Sequence, residues 1–186
     1  MPYIPTGKAL LDAHQILSEA GLLSGMTVAD LGSGTLGHFT FPAAHIVGEK
    51  GKVYAVDILK NALAGIESRA RIESVHNVET VWGDLERADG VRIPNGTVDL
   101  ALMVNVATLA RKSSAVSAEV KRLLKTGGKL LAVDWKPEGT GMGPDPHDRV
   151  SSTDMAKVFT KHKFVVIKEF DAGPNHWGLV LKKQSE

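Results

Sequence analysis

The stretch VADLGSGTLGHF, residues 28–39, decides the fold of this chain. A short apolar run closes on Asp30 and Leu31, and glycines follow at positions 32, 34 and 37. Such a run is that of a buried strand turning sharply into a helix over a nucleotide-like ligand. Gly32 permits the tight turn, and Gly34 lets backbone approach a ligand where a Cβ would block it. Gly37 lets the following helix pack closely on the strand. Glycine-rich turns are common, so the weight of the motif comes from Asp30 ahead of it and from the strand ends downstream.

Outward from this motif, strand and helix patterns alternate. Strands are expected at 26–31, 52–56, 78–82, 98–104 and 129–134, and helices at 39–47, 59–75, 113–124 and 153–162. Ahead of the first strand, Ala9, Leu10, Ala13, Leu17 and Ala20 recur at helical spacing over about residues 7–20, with Thr6 as cap and Gly21 as stop. Alternation of this kind dictates an α/β fold: one Rossmann-like, mainly parallel sheet with helices on both faces. Two final strands, 164–170 and 178–181, follow one another without a helix and imply an antiparallel edge hairpin. Between 136 and 149 the chain is rich in Gly and Pro and reads as a functional loop. No repeat or linker interrupts the pattern, so residues 1–186 are expected to form one domain.

Composition narrows the function. A length of 186 residues and a hydrophobic content of 43% suit one globular domain with a proper core. The chain has no cysteine, which removes disulfides, thiolate metal sites and thiol nucleophiles. Its formal charge of +1 neither demands nor excludes an anionic partner. No apolar run reaches membrane-spanning length and no secretory signal is visible, so a cytoplasmic location without a membrane partner is expected. A monomer or a homodimer is compatible with the sequence.

In an open parallel sheet, ligands sit outside the carboxyl ends of the strands. Here these ends carry Asp30, then Asp57 followed by Ile58, then Gly83 and Asp84, then Asn105. Asp57, twenty positions after Gly37, suits the two hydroxyls of a ribose, since one carboxylate can accept from both. Asp84 can accept from an exocyclic adenine amine. Asp30 puts negative charge at the turn, which disfavours a pyrophosphate and favours a ligand bearing a cation. A nicotinamide-binding domain would share the glycines and Asp57, but not Asp30.

With these residues the chain resembles the class I S-adenosylmethionine-dependent methyltransferases over essentially its whole length. The resemblance implies S-adenosyl-L-methionine as cofactor, held by Asp30, Gly32, Gly34, Gly37, Asp57, Ile58, Gly83, Asp84 and Asn105. It also implies the sheet order 3-2-1-4-5-7-6; His14, His45, His76 and His162 show no metal-ligand spacing, so no metal is expected. The segments Asp134-Trp135-Lys136-Pro137 and Met142-Gly143-Pro144 are similar to small stand-alone members of the ubiquinone and arsenite type. That likeness points to a small-molecule acceptor admitted beneath the N-terminal helix and the loop 137–149.

By position at strand ends, the transferred methyl should be surrounded by His38, Asn105, Val106, Asp134, Trp135 and Lys136. Of these His38, Asp134 and Lys136 are the candidate catalytic groups. The Asn-Pro-Pro-Tyr signature of base amino methylation is absent, since residues 105–108 read NVAT, and cysteine-dependent routes are excluded by composition. The stretch VGEKGKVYAVD, residues 47–57, resembles fibrillarin-like ribose 2'-O-methyltransferases, which makes RNA the alternative acceptor. Lys136 and His176 fall near two of that family's catalytic positions, while Asn105 stands where it has an Asp and Lys8 is a loose match to another. A non-catalytic cofactor-binding subunit is the second alternative. Asp145, His147 and Asp148 read as a solvated loop cluster, and His176 as a turn residue.

Overall fold

The computed structural model describes residues 11–138 and 142–185. Seven strands form one sheet: β1 (Thr27–Leu31), β2 (Lys52–Asp57), β3 (Val78–Trp82), β4 (Val98–Val104), β5 (Leu124–Trp135), β6 (Phe164–Gly173) and β7 (His176–Lys183). Their order is β3-β2-β1-β4-β5-β7-β6. Every pairing is parallel except β5 with β7 and β7 with β6. The sheet order implied by the resemblance is therefore the one observed.

Helices α1 (Ala13–Glu19), α2 (Thr40–Val47), α3 (Lys60–Ile72), α4 (Ala107–Lys112), α5 (Ser114–Leu123) and α6 (Ser152–Thr160) cover both faces. Side chains alternate along a strand, and β4 shows which face each meets. Leu100 and Leu102 join the cluster of Ile16, Leu17, Ala43 and Val47 from α1 and α2. Ala101 and Met103 join Val116, Val120, Met155 and Phe159 from α5 and α6. Burial on both sides explains why the central strands read as apolar runs rather than alternating ones. Among the described residues no helix is long and apolar enough to cross a membrane.

Four boundaries differ from the sequence reading, each for a physical reason. A helix cannot run from 7 to 20, because Asp12 is extended (φ −82°, ψ 97°) and caps α1, accepting from the amides of His14 and Gln15. Thr6 lies outside the described residues. Helix α3 stops at Ile72 because Ser74 takes a left-handed conformation, φ 53°. Strand β5 begins at Leu124, immediately after α5, since the Thr126-Gly127-Gly128 stretch is taken into the ladder through an irregular register with β4. The β6–β7 ladder reaches Gly173 opposite His176, leaving only Pro174 and Asn175 to turn.

Helix α4 is absent from the sequence reading. Its N-cap residue, Val106, makes no side-chain cap. The Asp134 carboxylate at the end of β5 accepts from the Ala107 amide instead, at 2.8 Å. A cap supplied from 27 residues away leaves no local signature. Local caps do leave one: Asp12→Ala should cost about 1 kcal/mol. A thermal scan should show the midpoint falling by roughly 2–4 °C.

Candidate functional site

The tips of β1, β2 and β3 are tied together by backbone. Gly32 has φ +86°, and its N–H and that of Ser33 both donate to the Val56 carbonyl, at 2.8 and 3.0 Å. A Cβ on Gly32 would stand 2.9 Å from Val106 Cγ1, so the turn is closed against the start of α4. The Gly83 N–H donates to the Asp57 carbonyl at 3.2 Å. Sequence spacing thus becomes one continuous rim.

On this rim Asp57 is the pivot. Its Oδ2 accepts from the Gly34 amide at 3.0 Å and its Oδ1 from the Leu59 amide at 2.9 Å. Each carboxylate oxygen has a further lone pair, so two more donors can be accepted. Gly34 also has positive φ, yet a Cβ there would meet nothing within 4 Å. The protein leaves the space above Gly34 open. Ile58 is exposed beside Asp57, and its carbonyl accepts from the Trp82 indole N–H at 2.9 Å. Asp84, half-buried at the next tip, accepts from the Glu86 amide at 3.0 Å.

Next to this rim lies a cavity of about 250 Å³, bordered by Leu11 and by Asp30, Ser33, His38, Asn105, Trp135 and His176. Asp30 is 3% exposed and accepts from the Thr40 hydroxyl at 2.6 Å. Burial, with the charge of Asp57 adding to it, pushes its carboxyl up to about 6, while the Thr40 bond opposes the shift. Without a cationic neighbour Asp30 is thus held in an unfavourable state. His38 lies 2.9 Å through Nε2 from the Leu11 carbonyl. A carbonyl only accepts, so Nε2 carries the proton and, in the neutral ring, Nδ1 is free to accept. Asn105 adopts a left-handed conformation (φ 58°) that closes β4, its amide bonded to the Val133 carbonyl.

Two of the three candidate catalytic residues do not border this cavity. Asp134 is buried beside Trp135 and spends its oxygens on the amides of Ala107, at 2.8 Å, and Trp135, at 2.7 Å. Burial still raises its carboxyl above the usual range. Lys136 turns to the hairpin, its Nζ 2.9 Å from Asp171 and 3.1 Å from the Gly173 carbonyl. That bond holds the Asp171 carboxyl below its ordinary value. Only His38 of the three reaches the cavity. Gly37 is also set apart, packed against Phe41 and Ile66 rather than facing the rim.

Arg149 emerges as a residue that sequence reasoning passed over, and His176 as one that it read as part of a turn. Arg149 is 6% exposed and donates to the carbonyls of Pro144, Lys136 and Met142, pinning the loop beside the Trp135 ring. His176 belongs to β7 rather than to a turn and is 1% exposed against Trp135. The Gly-Pro loop gave no hint of Arg149, because a pinning arginine is defined by the carbonyls it meets.

Comparison with known proteins agrees with this geometry. A family described as "Methyltransferase domain" matches residues 22–174. The ubiquinone/menaquinone biosynthesis C-methyltransferase of Shewanella piezotolerans is 32% identical over 159 residues, 84% of this chain and 56% of that protein. Its counterpart in Shewanella sediminis is 33% identical over 154 residues, 81% and 54% respectively. The chain therefore spans little more than half the length of these relatives. Among solved structures, a SAM dependent methyltransferase from Aquifex aeolicus superposes with a TM-score of 0.88 at 27% identity, covering 96% of this chain and 93% of that one. Family match, sheet order and glycine rim converge: the chain belongs to the S-adenosylmethionine-dependent methyltransferase family.

Proposed function

We propose that the chain transfers a methyl group from S-adenosyl-L-methionine to a small-molecule acceptor, with a cytoplasmic site of action as part of the same reading. The observation that carries it is the rim of three strand tips, where Asp30, Gly32 and Gly34, Asp57, and Asp84 follow one another in the order in which sulfonium, ribose and adenine would need them. The cofactor supplies an electrophilic methyl on a positively charged sulfur. Asp57 would take the two ribose hydroxyls on its remaining lone pairs, and Asp84 the adenine amine. Asp30 would face the cationic end. A cation there compensates the buried carboxylate, which supports the choice of a sulfonium over a pyrophosphate.

For an in-line displacement, alignment and exclusion of water are the protein's main tasks, and orientation alone can supply on the order of 7–11 kcal/mol. The cavity between Leu11 and the strand ends suits that task, and its size of about 250 Å³ admits a small group rather than a folded chain. His38, with Nδ1 free to accept, is the residue best placed to hold an acceptor's proton. The names of the Shewanella relatives add carbon as the acceptor atom to this reading. The fibrillarin-like alternative gains nothing, since Lys136 is engaged by Asp171 and Asn105 supplies no charge. Incubating labelled S-adenosylmethionine with fractionated lysate should place label in the metabolite fraction. Label appearing in RNA or protein instead would overturn the small-molecule assignment.

Asp30 gives the reading a pH signature. Its folded value of about 6 lies above the ordinary 3.8. In the unliganded chain its contribution to stability is therefore fully present below about pH 4 and lost as pH rises through 6. A bound cation has the opposite preference, for the ionised form. At pH 5 only about one molecule in eleven would hold Asp30 ionised, so affinity for S-adenosylmethionine should fall about tenfold between pH 7.5 and pH 5. Calorimetry at the two pH values measures this. In Asp30→Asn the affinity should be weak and flat across the same range.

A further inference from the structure

Three buried side-chain atoms among the described residues lack a hydrogen-bond partner: Oγ of Ser33 and both ring nitrogens of His176. All three belong to residues bordering the cavity beside Gly32. Buried polar atoms are nearly always paired, because an unmade bond forfeits solvation without return. Orphans gathered on one cavity mark a place where a polar ligand completes the bonding.

The two residues stand at opposite ends of it. Ser33 follows β1, whereas His176 opens β7, with β4 and β5 between them. Three strand spacings of ~4.8 Å put these ends roughly 14 Å apart. Under the reading above, the cofactor's cation belongs with Asp30 at the Ser33 end. His176 remains at the far end, its ring 4.1 Å, centroid to centroid, from that of Trp135.

The charged groups around His176 define what it can bind. Lys136 and Arg149 flank it, and Asp30 and His38 border the cavity from the β1 side. Burial first, then the two cations, bring the imidazole down to about 4, so it is neutral at pH 7. A neutral ring offers one N–H and one bare acceptor nitrogen. Lys136 is paired with Asp171 and Arg149 is spent on loop carbonyls, so neither is presented to an anion. Both still repel a cationic ligand. Apolar wall is supplied by Leu11, Phe39, Val104 and Trp135.

We propose that His176 is an acceptor-binding residue, its bare ring nitrogen taking the hydrogen bond of a hydroxyl on an uncharged acceptor held against Trp135. This rests on the methyltransferase reading and adds to it the residue and the chemical group that fix the acceptor's orientation. The hydroxyl supplies the donor that the ring lacks, and the apolar wall covers the rest of the molecule.

The test uses the full chain saturated with S-adenosylhomocysteine and two probes of nearly equal shape, p-cresol and p-xylene. Nuclear magnetic resonance follows both affinities and the imidazole ¹⁵N signals. The wild type should prefer p-cresol about tenfold, as one buried hydrogen bond allows. The accepting nitrogen of His176 should move upfield with p-cresol alone. His176→Phe should abolish the preference and leave S-adenosylhomocysteine affinity unchanged, whereas His176→Gln, which keeps a donor and an acceptor, should retain part of it. Equal affinities in the wild type, no binding of either probe, or an undiminished preference in His176→Phe would overturn the proposal. So would a loss of S-adenosylhomocysteine affinity in His176→Phe, which would assign the ring to the cofactor. Failure of S-adenosylhomocysteine to bind the wild type at all would refute the methyltransferase reading itself, and the proposal with it.

Discussion

Replacing Asp57 by alanine should weaken S-adenosylmethionine binding about 100-fold and leave the fold standing. The carboxylate already accepts from the amides of Gly34 and Leu59. Two ribose hydroxyls would complete it, each bond to a charged group contributing about 1.5–3 kcal/mol. Even the lower figure, taken twice, comes to about 3 kcal/mol, or two orders of magnitude in affinity. Nothing comparable is lost in the unliganded protein. Asp57 closes β2 at its partly exposed end, and water can satisfy the two released amides. Calorimetry should therefore report the loss while thermal melting of the free chain barely moves. Unchanged affinity in Asp57→Ala would remove the ribose from this position.

Gly37→Ala should do the reverse, lowering stability by about 2–5 kcal/mol. Gly37 has φ +57°, a conformation that costs an L-residue roughly 1–2 kcal/mol. A Cβ would also lie 2.6 Å from Ile66 Cδ1 and 2.8 Å from Phe41 Cε2, inside the joint between α2 and α3. Overpacking of that kind adds about 1–3 kcal/mol. For a chain of this size the melting midpoint should fall by roughly 4–20 °C. Gly34→Ala supplies the control: its φ of +63° carries the same backbone cost, but the added methyl meets nothing within 4 Å. Gly34→Ala should thus melt nearer the wild type and lose more cofactor affinity, since the methyl enters the space left for the ligand. Equal destabilisation by both substitutions would deny the packing role of Gly37.

The contrast between these two glycines shows what the sequence could reveal. Spacing alone placed both on one turn and assigned packing to Gly37, as its closeness to Phe41 and Ile66 bears out. The alternation of strands and helices was equally legible, because apolar runs of strand length and amphipathic helices are written locally. Asp30, Asp57 and Asp84 could be placed for the same reason, each lying within two residues of the end of its own strand. What escaped were features set by distant partners. Helix α4 depends on a cap from Asp134, and the same bond draws Asp134 away from the cavity. Lys136 was expected beside the methyl, but the hairpin offers it Asp171 and two carbonyls, a better home for a lysine head. His176 could be placed only once β7 was known to begin at that residue and to lie against Trp135. Two β-bulges set that register, and neither has a sequence mark that counts residues across a hairpin.

The cofactor reading requires an adenosyl sulfonium to lie along the rim from Asp30 to Asp84. A crystal structure of the chain with S-adenosylhomocysteine tests it most directly. The homocysteine moiety should lie beside Gly32, with both ribose hydroxyls on Asp57 and the adenine amine on Asp84. Density for the compound elsewhere, with Asp57 still bonded only to Gly34 and Leu59, would contradict it.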